Sequence, residues 1–141
     1  MADDTDLTVH AGGRGFPDPS VYRAIQLIAF DVDGVLTDSR IIIDSNGVES
    51  KFFSVRDGAG ITFLHNAGIK VALITGRSSA VVDFRAMELK IAPEFVKQGA
   101  KVKLPVFTQL LRENNLKAGE AAFVGDDIID VPVLEAVGLA C

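Results

Sequence analysis

Cysteine is almost absent from this sequence: the single one, Cys141, is the last of its 141 residues. No internal disulfide can form, so the cysteine content does not indicate an oxidising compartment. Residues 1–7 are acidic where a secretory signal would be basic, and no apolar segment follows them. We therefore expect a cytoplasmic protein.

Long hydrophobic runs and clusters of basic residues are also missing. No stretch approaches the ~18 uninterrupted apolar residues that a membrane-spanning helix needs, so no membrane partner is expected. The formal net charge is −5, and lysine and arginine occur singly. A nucleic-acid-binding protein needs a positive face, so this class is disfavoured. The acidic balance instead leaves room for a cation held among carboxylates.

The composition that remains is that of one compact domain. Hydrophobic residues make up 48% of the chain, an ordinary fraction for a folded soluble protein. Residues 1–24 have several chain breakers and no sustained period, so we predict a flexible tail that ends in a short helical piece around residues 22–24. Gly12, Gly13 and Gly15 resemble a phosphate loop, but no strand precedes them. The domain itself is predicted at residues 25–141.

From residue 25 onward, short apolar runs alternate with amphipathic segments. The predicted strands are residues 25–30, 69–74, 94–97 and 121–125, and the predicted helices are residues 57–66, 78–90, 103–114 and 129–137. Strands that alternate with helices indicate crossover connections and a parallel sheet. We therefore predict an α/β fold, a Rossmann-like three-layer arrangement with helices on both faces of the sheet.

Residues 40–54 interrupt this alternation. Two β-prone arms flank Asn46-Gly47, a dipeptide typical of tight hairpin turns. We predict an inserted β-hairpin, and no cap domain, between the first strand and the first helix. The hairpin carries more apolar residues than one face of a two-stranded ribbon can bury, which predicts an interface between subunits.

Polar residues follow each predicted strand. The first strand leads to Asp31 and Asp33, the second to Thr75, Gly76 and Arg77, the third to Lys101 and Lys103, and the fourth to Asp126, Asp127 and Asp130. Ligands of open parallel sheets bind outside the carboxyl ends of the strands. Carboxylates without histidine or cysteine suit Mg²⁺ better than Zn²⁺. A lysine and a hydroxyl beside the metal suit a phosphoryl group, and one aspartate could attack phosphorus.

Four motifs in this order resemble the haloacid dehalogenase superfamily. They are Asp31-Val-Asp-Gly-Val-Leu-Thr-Asp38, Ile74-Thr-Gly-Arg77, Lys103, and Gly125-Asp-Asp-Ile-Ile-Asp130. With Val55-Arg-Asp-Gly58 and Gln98-Gly99, the chain is most similar to the capless branch that includes 3-deoxy-D-manno-octulosonate 8-phosphate phosphatases. The same branch contains nonulosonate 9-phosphate phosphatases and non-catalytic domains fused to some cytidylyltransferases, and both remain alternatives.

The resemblance implies a magnesium-dependent phosphatase that acts on the phosphate of a keto-sugar acid. Asp31 would be the nucleophile and a metal ligand. Asp33 would be the general acid and base, with its backbone carbonyl on the metal, and Asp126 would be the third protein ligand. Lys103 and Thr75 would hold the phosphoryl oxygens.

The remaining site residues have supporting roles in this comparison. Gly76, Arg56 and Arg77 would bind phosphate or substrate, and Asp127 or Asp130 would hold the lysine and the metal-bound waters. Lys101 is a second candidate for the phosphoryl lysine.

Two further expectations concern assembly. Related capless phosphatases form tetramers through their hairpins, so we expect a homotetramer, or at least a dimer. The family continues beyond the segment that matches residues 137–141 with a strand, a helix and a tail that reaches a neighbouring active site, and we expect these to be missing here.

Overall fold

The computed structural model describes residues 17–141, so the flexible character predicted for residues 1–16 lies outside the described residues. In chain order the elements are α1 (Pro19–Ala24), β1 (Leu27–Phe30), β2 (Ile42–Ile43), β3 (Glu49–Ser50), α2 (Val55–Asn66), β4 (Lys70–Ile74), α3 (Ala80–Glu88), β5 (Val96–Lys97), α4 (Lys103–Glu113), β6 (Ala121–Val124), α5 (Val131–Leu134) and β7 (Leu139–Ala140). Short 3₁₀ turns occupy Pro93–Phe95, Ala118–Glu120 and Ile128–Asp130.

Five strands form one sheet in the order β5-β4-β1-β6-β7, and every neighbouring pair is parallel. The central strand β1 places Phe30 opposite Leu73 of β4 and Val124 of β6. The predicted α/β fold with a parallel sheet is thus confirmed. From β1 the chain first builds the sheet outward through β4 and β5, and then crosses to the other side for β6 and β7.

Helices cover both faces of the sheet because alternate strand residues point to opposite sides. Along β4, Ala72 and Ile74 join a core with α4 and α5, while Val71 and Leu73 join a second core with α2 and α3. In the first core, the rings of Phe107 and Phe123 meet edge to face, with centroids 6.0 Å apart. The two cores clamp β1 between them and thereby hold its carboxyl end in place.

The predicted hairpin is present as a separate two-stranded antiparallel sheet of β2 and β3. Its turn contains Gly47, which has a φ of +79°, and the Asp44 carboxylate accepts hydrogen bonds from the amides of Asn46 and Val48. The ladder is only two residues long on each side. In the part of the chain that the structure describes, this hairpin is the only insertion after β1, and no cap domain is evident.

The structure differs from the sequence prediction mainly in the last segment. The single helix predicted at residues 129–137 is a 3₁₀ turn, Ile128–Asp130, followed by the four-residue α5. The edge strand β7 was not predicted. Of the helices that the structure describes, none has both the length and the apolar character needed to cross a membrane.

Candidate active site

The candidate site lies at the carboxyl ends of β1, β4 and β6. The chain changes its direction of travel across the sheet at β1, and this reversal leaves a crevice between the loops that follow β1 and β6. Asp31 follows β1 directly, and its amide donates to the Val124 carbonyl of β6 over 2.9 Å. The sheet ladder therefore continues into the first residue of the site.

Three carboxylates converge in this crevice. Asp31, Asp126 and Asp130 each offer an oxygen, and these oxygens lie within 4.8 Å of one another. Asp31 and Asp130 are buried, whereas Asp126 is exposed at the mouth. A set of carboxylate oxygens without histidine or cysteine fits a hard cation such as Mg²⁺. The sequence predicted that Asp130 would hold the lysine or the metal-bound waters. In the structure its carboxylate oxygen also lies with those of Asp31 and Asp126.

Lys103 ties two of these carboxylates together. Its ammonium lies 2.9 Å from the Asp31 carboxylate and 2.6 Å from that of Asp130, and the residue is 2% exposed. Lys103 is the first residue of α4, a position that directs its side chain back into the crevice. Lys101, the other candidate, is exposed. The structure therefore places Lys103, and not Lys101, beside the carboxylates.

Burial raises the pKa of the Asp31 carboxyl, and the hydrogen bond from Lys103 offsets this rise only in part. The second hydrogen bond to this carboxylate, from the Val32 amide at 2.7 Å, acts in the same direction as Lys103. A divalent cation at this position would favour the ionised carboxylate strongly. A cation bound at this point would therefore add to the stabilisation of the Asp31 carboxylate that Lys103 and the Val32 amide supply.

Two glycines leave the space in which the carboxylates meet. A Cβ at Gly34 would collide with the Asp126 carboxylate, and Gly34 also has a φ of +97°, which favours glycine. A Cβ at Gly125 would lie 2.7 Å from the Asp130 side chain. Steric space therefore explains why glycine stands at these positions of the first and fourth motifs. Gly34 leaves room for Asp126, and Gly125 leaves room for Asp130.

Asp33 lies apart from the three carboxylates and contacts the hairpin. Its carboxylate accepts a 2.5 Å hydrogen bond from the ammonium of Lys51, which lies 2.8 Å from Glu49. Glu49 also lies 3.5 Å from Arg77. Burial opposes the charge of Lys51, but its two carboxylate partners outweigh that effect and raise its pKa.

Sequence reasoning missed Lys51 and Glu49. A signal was available, because the two charged residues alternate within an apolar hairpin arm and therefore share one face of it.

Three other predicted site residues directly follow β4. Thr75 is buried directly after β4, and its hydroxyl accepts from the Arg77 amide at 3.4 Å. Gly76 follows it near Ile129. Arg77 is exposed except for its contact with Glu49.

Two predicted residues stand outside the carboxylate group. Arg56 is exposed in the first turn of α2, and its side chain has no ion pair among residues 17–141. The Asp127 carboxylate accepts from the Ile128 amide at 2.6 Å and so caps the 3₁₀ turn. Of the two aspartates expected near the lysine, only Asp130 contacts it.

Residues 47–138 match the haloacid dehalogenase-like hydrolase family, and the chain belongs to that family. A curated relative, the 3-deoxy-D-manno-octulosonate 8-phosphate phosphatase of Salmonella typhi, is 45% identical over 116 residues. The alignment covers 82% of this chain but 61% of the relative, so this chain spans about three-fifths of that protein's length.

Solved structures agree with this relationship. The 3-deoxy-D-manno-octulosonate 8-phosphate phosphatase of Moraxella catarrhalis, in complex with a magnesium ion, a phosphate ion and a KDO molecule, superposes with a TM-score of 0.80 at 41% identity, covering 84% of this chain and 69% of that chain. The phosphatase of the same name from Yersinia pestis gives a TM-score of 0.81 at 41% identity, over 85% of this chain and 65% of that one.

Proposed function

We propose that this chain is a Mg²⁺-dependent phosphomonoesterase that hydrolyses 3-deoxy-D-manno-octulosonate 8-phosphate through an aspartyl-phosphate. The observation that carries the proposal is the buried ammonium of Lys103 between Asp31 and Asp130, next to Asp126. This arrangement supplies a nucleophile, a cation site and a fixed positive charge at one point. The domain that carries it is residues 25–141, and we assign the reaction to the cytoplasm.

In the first half of the reaction, a carboxylate oxygen of Asp31 attacks phosphorus and the bond to the sugar oxygen breaks. Protonated Asp33 donates its proton to that leaving oxygen, so that the sugar departs as an alcohol. The product on the protein is a phosphoryl group bound to Asp31. Asp31, the Asp33 carbonyl and Asp126 would hold Mg²⁺ when it is bound, and its chemistry there would be to neutralise the phosphoryl charge.

In the second half, Asp33 acts as the base. It takes a proton from a water molecule, whose oxygen attacks phosphorus, and the bond between phosphorus and Asp31 breaks. Inorganic phosphate leaves, and Asp31 returns as a carboxylate. One group can serve in both halves because the proton that Asp33 gives to the leaving oxygen is replaced by the proton that it takes from the attacking water.

Fixed donors hold the phosphoryl oxygens during both halves. Lys103 supplies its ammonium, Thr75 its hydroxyl and the loop at Gly76 its backbone N–H groups. Asp130 keeps Lys103 in place through the 2.6 Å ion pair, and Asp127 shapes the loop that carries Asp126. Arg77 and Arg56 lie on the rim, where a substrate carboxylate would need a cationic partner.

The relatives' names support the choice of an eight-carbon sugar acid. The test is phosphate release from a panel that contains 3-deoxy-D-manno-octulosonate 8-phosphate, a nonulosonate 9-phosphate, and simple sugar and nucleotide phosphates, each with Mg²⁺ and with EDTA. We expect the highest kcat/KM for the first compound, and none without Mg²⁺. A higher kcat/KM for the nine-carbon or the generic substrates would overturn the proposed substrate. If no compound released phosphate, the chain would instead be a non-catalytic assembly module.

We also propose that the hairpin joins four copies into a homotetramer. Ile41, Ile43, Val48 and Phe52 are 54%, 59%, 58% and 62% exposed. These four large apolar side chains lie in or beside a two-residue ladder, and an exposed apolar patch of this kind usually marks a subunit interface. The substrate binds at an open sheet edge, and neighbouring subunits would cover it.

A further inference from the structure

The hairpin reaches the candidate active site through one buried lysine. The side chain of Lys51 follows β3 and is 1% exposed, although it carries a charge. Burial of an ammonium group is costly unless strong partners replace its water. Its partners are Asp33 at 2.5 Å and Glu49 at 2.8 Å, so the cost is offset by two charge-assisted hydrogen bonds.

Glu49 fixes this lysine to the hairpin itself. It belongs to β3, pairs with Ile43 of β2, and lies in contact with both Lys51 and Arg77. Asp33, by contrast, belongs to the loop after β1, 18 residues earlier in the chain. The ion pair therefore joins the loop after β1 to a hairpin that belongs to a different sheet.

The hydrogen bond is also selective for one oxygen of Asp33. Lys51 holds Oδ1, while Oδ2 has no hydrogen-bond donor among the residues that the structure describes. A carboxyl group with one oxygen held and the other free presents a defined oxygen for proton exchange. Without such a partner, the carboxyl group can rotate and lose its alignment with the leaving oxygen or with the attacking water.

We propose that Lys51 is a positioning residue for Asp33, and that the hairpin thereby sets the geometry of acid–base catalysis. This inference rests on the proposed function, because Asp33 must act as acid and base for its orientation to matter. Lys51 does not touch the substrate. It acts through Asp33 alone, and Glu49 anchors it.

The test is a double-mutant cycle in the full chain with Mg²⁺, using 3-deoxy-D-manno-octulosonate 8-phosphate and, in parallel, p-nitrophenyl phosphate. Asp33→Asn should lower kcat by about 10²–10⁴-fold, the usual contribution of general acid–base catalysis. Lys51→Met should lower kcat by about 10–100-fold, the range typical of groups that orient a functional residue. The double variant should be no slower than Asp33→Asn within about threefold, since coupled residues are not additive.

Three matched variants separate positioning from stability. Lys51→Arg keeps the charge and should recover most of the lost kcat, while Lys70→Met removes an exposed lysine at the other end of the sheet and should leave kcat unchanged. Lys51→Gln replaces Lys51→Met in the cycle if the latter does not fold.

The outcomes are distinct. If the wild type hydrolyses neither compound, the proposed function fails, and the role of Lys51 fails with it. If the wild type is active and Lys51→Met matches it, only the role of Lys51 is wrong. If the losses of kcat caused by the two substitutions multiply in the double variant, Lys51 supports the fold and does not act through Asp33.

Discussion

The carboxyl edge of the sheet and the hairpin are built in opposite ways. At the edge, Asp31, Lys103 and Asp130 are 5%, 2% and 0% exposed, and each has a charged partner within 3 Å. On the hairpin, Ile43 and Phe52 are 59% and 62% exposed. The edge is polar and enclosed, whereas the hairpin is apolar and open, the reverse of what folding alone favours.

The difference separates a region that relies on contacts within the chain from a region that we propose contacts another subunit. The edge is held by two hydrophobic cores and by internal ion pairs, so its geometry follows from the fold of this chain. The hairpin has a two-residue ladder and exposes large apolar side chains, which is why we propose that it contacts another subunit. Lys51 links the two regions, since it lies on the hairpin and contacts Asp33.

The largest effect is expected at the edge. Asp31→Asn removes the proposed nucleophile's charge at constant size and should reduce phosphatase activity below detection, because no aspartyl-phosphate can form. The fold should persist, since Lys103 keeps Asp130 as a partner. Phosphate release and a thermal melt measure the two quantities, and substantial residual activity in pure protein would exclude covalent catalysis at Asp31.

Substitution of one glycine in each region compares the two regions directly. Gly34 and Gly47 both have positive φ, but a Cβ at Gly34 would collide with Asp126, while one at Gly47 meets nothing within 4 Å. Gly34→Ala should weaken Mg²⁺ binding by about 10–100-fold and reduce activity with it. Gly47→Ala should only lower the free energy of unfolding, by about 1–2 kcal/mol, because of backbone strain.

Isothermal titration with Mg²⁺ and denaturant unfolding measure the two glycine variants. The comparison fails if both have equal Mg²⁺ affinity, because the steric contact of Gly34 with Asp126 would then have no role in the metal site.

The effect of Mg²⁺ on stability should depend on pH. In the metal-free protein, burial raises the pKa of Asp31, so the folded state loses stability as pH rises from the ordinary carboxyl pKa through that raised value. Mg²⁺ binds the ionised form, so its stabilisation should grow across the same range. At a concentration 100-fold above its Kd it should reach about 2.7 kcal/mol.

Melting curves with Mg²⁺ and with EDTA, from acidic to neutral pH, check this prediction. Asp31→Asn serves as the control, because it has no carboxyl group to titrate. A Mg²⁺ shift that stays constant over the range would contradict the assignment.

The smallest effect on the fold is expected at the hairpin. Ile43→Lys with Phe52→Lys should divide the proposed tetramer into smaller species while changing the free energy of unfolding of each subunit by only about 0.5 kcal/mol per site. Phe63→Lys, which alters an aromatic residue that is 71% exposed on α2, is the matched control. Light scattering reports the mass, and a wild-type monomer at micromolar concentration would exclude the tetramer.

Much of the fold could be predicted from the sequence because its signals are local. The strands before Asp31, Thr75 and Asp126 are short apolar runs, and the turn at Asn46-Gly47 has its own dipeptide signature. The segment after Asp126 was less predictable. There the 3₁₀ turn and the short α5 replace the expected helix, because the Asp127 carboxylate caps a tight turn and Asp130 is drawn to Lys103.

The site was predicted as a set of residues and not as a set of contacts. Asp31, Asp126 and Lys103 stand beside strand ends, and strand ends of a parallel sheet meet at one edge. Which lysine enters the crevice could not be read from spacing, since Lys101 and Lys103 are two residues apart. The start of α4 decides it, because the first helical residue turns inward and the residues before it remain in solvent.

The sequence by itself determined the α/β alternation, the hairpin and the edge at which the polar residues gather, since these depend on neighbours along the chain. Only the tertiary structure decided that Asp130 joins Asp31 and Asp126, that Gly34 leaves room for Asp126, and that Lys51 reaches Asp33. Such contacts join residues far apart in the chain. Their distances depend on how the sheet, the helices and the hairpin pack, and not on any local pattern.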